Sequence, residues 1–456
     1  MKRASLLRRS LPTLVTTLVS TTVMSLSTVL VGCLNSSTSN PDAAAGADGS
    51  AYAFGGGTIM LTSCGYALTT RDGASAPVFG SPMFGSDPTP WGRHLGIAGD
   101  PSTSMVVSWR TNDDTTLATT VQYGTNGMTN QSTDGLTFSY QTPNRNPVQI
   151  HETHLCGLQP DTVYTYRVGG KDGSGKEVWS DTATFHTAPA KSNTMAQITV
   201  GVIGDSRGNY TLWGKMLQEL QTMGTPDIIL FSGDGVTLGP VQTEWDQWFK
   251  QAEPVLKSVP MLLAHGNHEV NAVNYFSQFA MPGDEEYYGV DYGPMHVTVL
   301  NDTPPNPNEI AMKGATFLDS DLTAADTANA PWKFVMHHQP MWSACAGHGS
   351  NLTLQSTWGP IIDKHKVDVV FNGHDHDYER TKPMRGTAAQ ATPADGTVFI
   401  VAGSAGADLY DNGTGAWTQL SMKTYNLAVI HLRAGMLQYT AYDDSGTTID
   451  SFMITK

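Results

Sequence analysis

The sequence predicts two modules in series, an all-β sandwich over about 86–190 and an α/β domain over 196–456. Two observations carry this. In the first stretch, short β-branched and aromatic runs such as "SMVVSWRT", "TTVQYGT" and "ATFHTAP" recur between Gly, Asn, Asp and Pro, the spacing of a sandwich. In the second, near-continuous apolar runs alternate with helical patterns: "ITVGVIG", "DIILFSG", "PMLLAHG", "WKFVMHH", "VDVVFNG" and "TVFIVAG". Such runs suit strands buried on both faces.

The 456 residues also leave room for a leader before the modules. Lys2, Arg3, Arg8 and Arg9 precede an apolar, Ser/Thr-rich stretch that ends "LVGC" at Cys33, the pattern of a secretory signal over 1–33. The competing reading, a membrane-spanning anchor, is opposed by the many Ser and Thr and by Pro12. "LVGC" resembles a lipobox, which implies a lipid on Cys33 and a cell-envelope lipoprotein, at the outer membrane or cell surface, or a secreted protein. Residues 34–85 are rich in Ser, Ala, Gly, Asp and Pro and read as a flexible linker, within which "GTIMLTSCGYAL" has the pattern of one short strand. Beyond Cys33, Cys64, Cys156 and Cys345 allow one bridge and a leftover thiol, with no pair favoured. The net charge of −15 argues against nucleic acid as a partner, which would call for a basic face.

Within the sandwich, His151 and His154 are three apart and so fall on opposite faces of a strand, which disfavours a shared metal. "GLQPDTVYTYRV" resembles the late strands of a fibronectin type III domain, including the tyrosine that packs at a sandwich corner. In the second module, "LWGKMLQELQTMG" reads as a helix closed by a C-terminal Gly.

The chemistry lies where the apolar runs stop. Five of them end in "GDSR", "GDG", "GNHE", "HHQP" and "GHDH". Ligand sites in α/β sheets lie beyond the carboxyl ends of strands, so these five ends can meet in one cleft. They would bring together Asp205, Asp234, Asn267, His268, His338, His374 and His376. Nine of the 14 histidines fall between 265 and 376. A pair of metal ions needs anionic ligands between and around them, with imidazoles as neutral donors suited to Fe, Zn or Mn. One such motif is weak, and five in this order are strong.

The order GD, GD, GNHE, HxP, GHxH resembles the calcineurin-like metallophosphoesterase superfamily. With the preceding sandwich and "GHDHDYER", the chain is similar to its purple acid phosphatase branch from about 86 to 456. The resemblance implies a four-layer α/β/β/α catalytic domain and two divalent or trivalent metal ions. Asp234 would bridge them, Asn267, His338 and His374 would complete one site, and Asp205 and His376 would serve the other. The branch carries a metal-binding tyrosine where this chain has Thr237, and other members carry a histidine where it has Arg207. One site therefore lacks a protein ligand; water, Tyr210 or another side chain fills it, or that ion binds weakly, and a colourless protein is expected.

By the same resemblance the chain would hydrolyse phosphate monoesters of a small phosphorylated substrate by attack of metal-bound hydroxide. His268, aided by His348, would protonate the leaving oxygen. Asn267 and His348 would contact the substrate. Arg207 reads equally as a structural ion pair or a phosphate-binding fork. His337 reads as packed in the strand end, Tyr378, Glu379 and Arg380 as supports of the GHxH loop, and Asp375 as pointing away. His94, His186, His265, His296, His365 and His431 read as structural. The rivals are a phosphodiesterase or nucleotidase on the same core, and a surface binding protein with a degenerate site.

Overall fold

The structure is a computed structural model that describes residues 58–69 and 85–456 apart from 142–146, with short strands Ala44–Ala45, Ala51–Tyr52 and Ala74–Ser75. The expected signal over 1–33, with Cys33, lies outside these residues, as does much of the expected linker.

The sandwich has two antiparallel sheets. One runs Ala74–Ser75, Leu136–Gln141, Pro147–Cys156, Ser104–Arg110, Trp91–Gly96; the other runs Glu177–Trp179, Val163–Lys171, Thr120–Thr125, Gln131–Asp134, with Ala183–His186 also on Val163–Lys171. Alternation along Ser104–Arg110 sends Met105, Val107 and Trp109 into the core between the sheets, while Val106 faces a second cluster with Leu136 and Ile150. The Tyr164 hydroxyl accepts the backbone N–H of Gln159 at 2.9 Å, the corner contact expected of "GLQPDTVYTYRV". His151 is buried, stacks on Trp109 and is pushed down to about 3 by burial, whereas His154 bonds Tyr66 and Glu152. The two histidines share nothing.

Within 34–85, where composition reads as a linker with room for one strand, Thr58–Leu61 and Tyr66–Thr69 pair as an antiparallel hairpin. Leu61 and Leu68 pack against Val106, Phe138 and Ile150, and Cys64 is disulfide-bonded to Cys156. Burial of the hairpin's apolar side overrides the flexible composition, so 58–69 is docked rather than free. Cys345 keeps a buried thiol.

The α/β domain stacks two sheets. The first has parallel strands Met261–Leu263, Ile228–Phe231 and Ile198–Ile203, extended antiparallel by Asn426–Arg433, Met436–Asp443 and Thr448–Thr455. The second runs Tyr287–Tyr292, Met295–Leu300, Trp332–Met336, Val369–Asn372, Val398–Ala402, Tyr378–Thr381, Thr418–Met422, parallel through its middle. Phe334 and Phe371 face the first sheet's Val200, Val202 and Ile430, while Val335 and Val370 point outward to Leu318, Leu322 and Ile362. Helices Tyr210–Gly224 and Gln242–Leu256 cover the first sheet, and Ala315–Thr327 and Gly359–His365 cover the second, giving α/β/β/α.

The Tyr210–Gly224 helix does not end on a left-handed glycine as its sequence suggests. Gly224 is its last helical residue and Thr225 takes φ 45°. A Cβ on Gly224 would lie 2.7 Å from Val429, so the glycine serves close helix–sheet packing. The sandwich is fixed to the Gln242–Leu256 helix by Arg93, which bonds Glu253 at 2.7 Å and Asp181 at 2.5 Å, and by the Tyr166 hydroxyl, which donates to the Lys257 carbonyl at 2.6 Å.

Candidate metal centre

The parallel strands of both sheets end at one cleft, and the sequence-predicted residues stand just past those ends. Asp205, Asp234 and His374 all hold left-handed backbones, with φ of 51°, 57° and 69°. Side chains other than glycine rarely adopt that region, and such strain gathers at functional sites. Asp205 is fully buried and receives the His374 backbone N–H at 3.0 and 3.2 Å on its two oxygens. Gly373 makes this approach possible, because a Cβ there would lie 2.2 Å from Asp205 Oδ2.

Four donor atoms converge on one point. His338 Nδ1 faces the Ser232 carbonyl at 2.8 Å. A carbonyl only accepts, so Nδ1 carries a proton and Nε2 is the nitrogen turned to the cleft. That Nε2 lies 3.0 Å from Asn267 Oδ1 and 3.3 Å from Asp234 Oδ1, and His374 Nδ1 lies 2.9 Å from Asn267 Oδ1. The ligand atoms of Asp234, His338 and His374 all fall within 4.8 Å of one another. Buried oxygen and nitrogen acceptors brought this close call for a positive charge among them, either a proton on His338 or a metal ion. Burial opposes charge on His338, yet Asp234 beside it raises its basicity well above the ordinary value, while burial and the neighbouring imidazoles keep His374 neutral. This donor set fits a divalent or trivalent ion.

Asp205, His376 and Arg207 line the adjoining corner. His376 Nε2 is 3.6 Å from Asp205 Oδ1 and 3.4 Å from Arg207 Nη2, and Arg207 Nε is 3.6 Å from Asp234 Oδ2. Tyr210 does not enter it; its hydroxyl donates to Glu244 at 2.7 Å, which also receives the Thr237 backbone N–H at 2.6 Å.

His268 and His348 stand at the rim. His268 Nδ1 donates to the Thr237 carbonyl at 2.6 Å and directs Nε2 at Asp234 Oδ2, 3.7 Å away. The half-exposed His348 ring stacks on His374 with centroids 4.0 Å apart. Asp375 points away from the donor cluster and takes N–H groups of His348 at 2.9 Å and Gly349 at 3.0 Å. His337 is buried on Asp302 at 3.0 Å. Tyr378 and Arg380 bond Asp450, and Glu379 receives the Ala344 N–H at 2.7 Å, so the three brace the loop.

Two contributors went unassigned in the sequence. Glu269, the last letter of "GNHE", holds the Asp234, Gly235 and Gly266 N–H groups at 3.1, 2.7 and 2.8 Å. Tyr410 stacks on His376 with centroids 4.2 Å apart, from a loop with no motif to mark it.

Both modules match known proteins. Residues 90–187 match the purple acid phosphatase N-terminal domain, and residues 198–378 match the calcineurin-like phosphoesterases. The chain is 28% identical to purple acid phosphatase 21 of Arabidopsis thaliana over 69% of its own length and 70% of the relative's. It is 26% identical to acid phosphatase type 7 of Mus musculus, over 81% and 91%. A purple acid phosphatase from yellow lupin (Lupinus luteus) seeds shares the fold with a TM-score of 0.69 at 20% identity, over 81% of this chain and 74% of that one.

Proposed function

We propose that this chain, a metal-dependent phosphoric ester hydrolase whose modules match the purple acid phosphatase N-terminal domain and the calcineurin-like phosphoesterases, hydrolyses phosphate monoesters of small molecules outside the cytoplasm. The convergence of the Asp234, Asn267, His338 and His374 ligand atoms on one buried point carries the reading.

These four residues would hold the first ion. Asp205 and His376 would serve a second, with Asp234 between the two. Bound ions of Fe, Zn or Mn would activate water and offset charge developing on the phosphoryl oxygens. The protein supplies the rest. Asn267 and His348 face the space where the phosphoryl group would lie. His268, held at Nδ1 by the Thr237 carbonyl, has Nε2 3.7 Å from Asp234 Oδ2, and as an imidazolium it would give the Nε2 proton to the leaving oxygen. Asp375 anchors the backbone of His348 and so fixes that ring over His374. Arg207 offers a planar fork to phosphoryl oxygens.

Export through the segment ending at Cys33, with a lipid anchor there to hold the protein at a membrane surface, belongs to the same reading. The Cys64–Cys156 disulfide supports an oxidising compartment. Among the described residues no helix is long and apolar enough to cross a membrane.

Hydrolysis of 4-nitrophenyl phosphate and bis(4-nitrophenyl) phosphate by the metal-loaded protein tests the substrate class. The monoester is expected to give the higher kcat/KM. Preference for the diester would replace this reading with a phosphodiesterase on the same core.

A further inference from the structure

His376 offers the cleft a single lone pair, and Arg207 already takes it. His376 Nδ1 faces the Asp408 carbonyl at 2.7 Å, so that nitrogen carries the proton and Nε2 is the acceptor. Arg207 Nη2 donates to Nε2 at 3.4 Å. The guanidinium Nε is buried, has no hydrogen-bond partner, and lies 3.6 Å from Asp234 Oδ2. Arg207 therefore stands against two of the groups that the second ion would use, and Asp205, the third, is 3.6 Å from the same His376 nitrogen.

An ion on an imidazole sits about 2.0–2.1 Å from the nitrogen, along the lone pair. The Arg207 N–H already points at that nitrogen from 3.4 Å. An arginine cannot give up its charge to make room, and the approaching cation adds repulsion to the steric conflict. Among the described residues no guanidinium or ammonium stands against Asn267 Oδ1, His338 Nε2 or His374 Nδ1, whose contacts in the cleft are with one another and with Asp234.

We propose that Arg207 and the second metal ion compete for one corner of the cleft, so that the protein holds one ion tightly and accepts the second only when Arg207 swings out. This rests on reading the cleft as a metal centre. It assigns Arg207 the role of a positioning residue that sets metal occupancy. Displaced from His376, the guanidinium is free to turn toward phosphoryl oxygens, which joins the two readings of Arg207 offered by its sequence.

The test is a titration of the metal-free full chain with Mn(II), reading bound and free ion by electron paramagnetic resonance. In the wild type the first ion is expected to bind at least about tenfold more tightly than the second, about 1.4 kcal/mol. Arg207→Ala and Arg207→His are each expected to tighten the second ion at least about tenfold, leaving the first unchanged. A spin-coupled Mn pair should then form at lower Mn concentration. Two ions of equal affinity in the wild type, or a second affinity that neither variant alters, would overturn the proposal while leaving the metal centre intact. No bound ion in the wild type would overturn both. Should Arg207→Ala fail to fold by thermal unfolding, the wild-type titration and Arg207→His decide the matter.

Discussion

Glu269 lies behind Asp234 and accepts its backbone N–H at 3.1 Å, along with those of Gly235 and Gly266. One carboxylate thus ties the "GDG" loop to the "GNHE" loop and sets the distance between Asp234 and Asn267. Burial first, and then the Asp234 charge, raise Glu269 to about 7. Glu269→Ala leaves three buried N–H groups unpaired, each costing on the order of 1–3 kcal/mol. The expected outcome is a lower Tm together with metal affinity reduced about 10–100-fold. Thermal unfolding and metal titration measure the two, and unchanged values in both would remove Glu269 from the site's support.

Gly373 tests the packing of the cleft. Its added Cβ would meet Asp205 Oδ2 at 2.2 Å and Ser232 Oγ at 2.9 Å, both on buried residues. Gly373→Ala is expected to displace Asp205 and abolish most turnover. Gly359→Ala is the control, since nothing lies within 4 Å of its Cβ position. Equal kcat/KM in the two variants would contradict the geometry.

The Cys64–Cys156 bond closes a long loop, with a sequence separation of 92, and clamps the hairpin on the sandwich. Cys64→Ser is expected to cost about 2–5 kcal/mol. Urea unfolding at fixed pH reads this loss. The hairpin backbone should also lose part of its protection from hydrogen exchange, leaving it held by Leu61, Leu68, the Leu68–Gly283 backbone bridge and the Tyr66–His154 contact at 2.6 Å. Retained protection would show that packing alone docks it.

His296 makes stability depend on pH away from the cleft. Burial would lower it, but hydrogen bonds to Asp291 at 2.8 Å and Asp321 at 2.9 Å prevail and raise it to about 9. A folded value above the unfolded one gives stability that is complete below about 6.5 and lost as pH rises through about 9, at most about 3 kcal/mol. Wild type should therefore lose more stability than His296→Gln between pH 6 and pH 9.5 in urea unfolding. Parallel losses would refute the assignment.

The strand ends were legible in the sequence because an apolar run buried on both faces cannot continue through Asp, Asn or His. Asp205, Asp234, Asn267, His338 and His374 announce themselves where "VIG", "LFSG", "LAHG", "KFVMH" and "VVFNG" stop. What escaped depends on contacts between distant segments. The pairing of Cys64 with Cys156 rests on a hairpin in a Gly-rich stretch, and its apolar side becomes visible only against Val106 and Ile150. Glu269 was visible but mute, since its work is done through backbone N–H groups that a sequence does not display. Tyr410 carries no local signal, and only folding lays it on His376. The last three strands, Asn426–Arg433 to Thr448–Thr455, complete the first sheet from the far end of the chain, a pairing that periodicity does not specify.

Whether Asp234, Asn267, His338 and His374 hold metal is read from the metal content of the wild type and of His338→Ala after loading with Mn, Fe or Zn and exhaustive dialysis. At least one ion per chain is expected to stay on the wild type and to be lost from His338→Ala, with the fold intact by circular dichroism. A wild type that retains no ion under any of the three metals would rule the metal centre out.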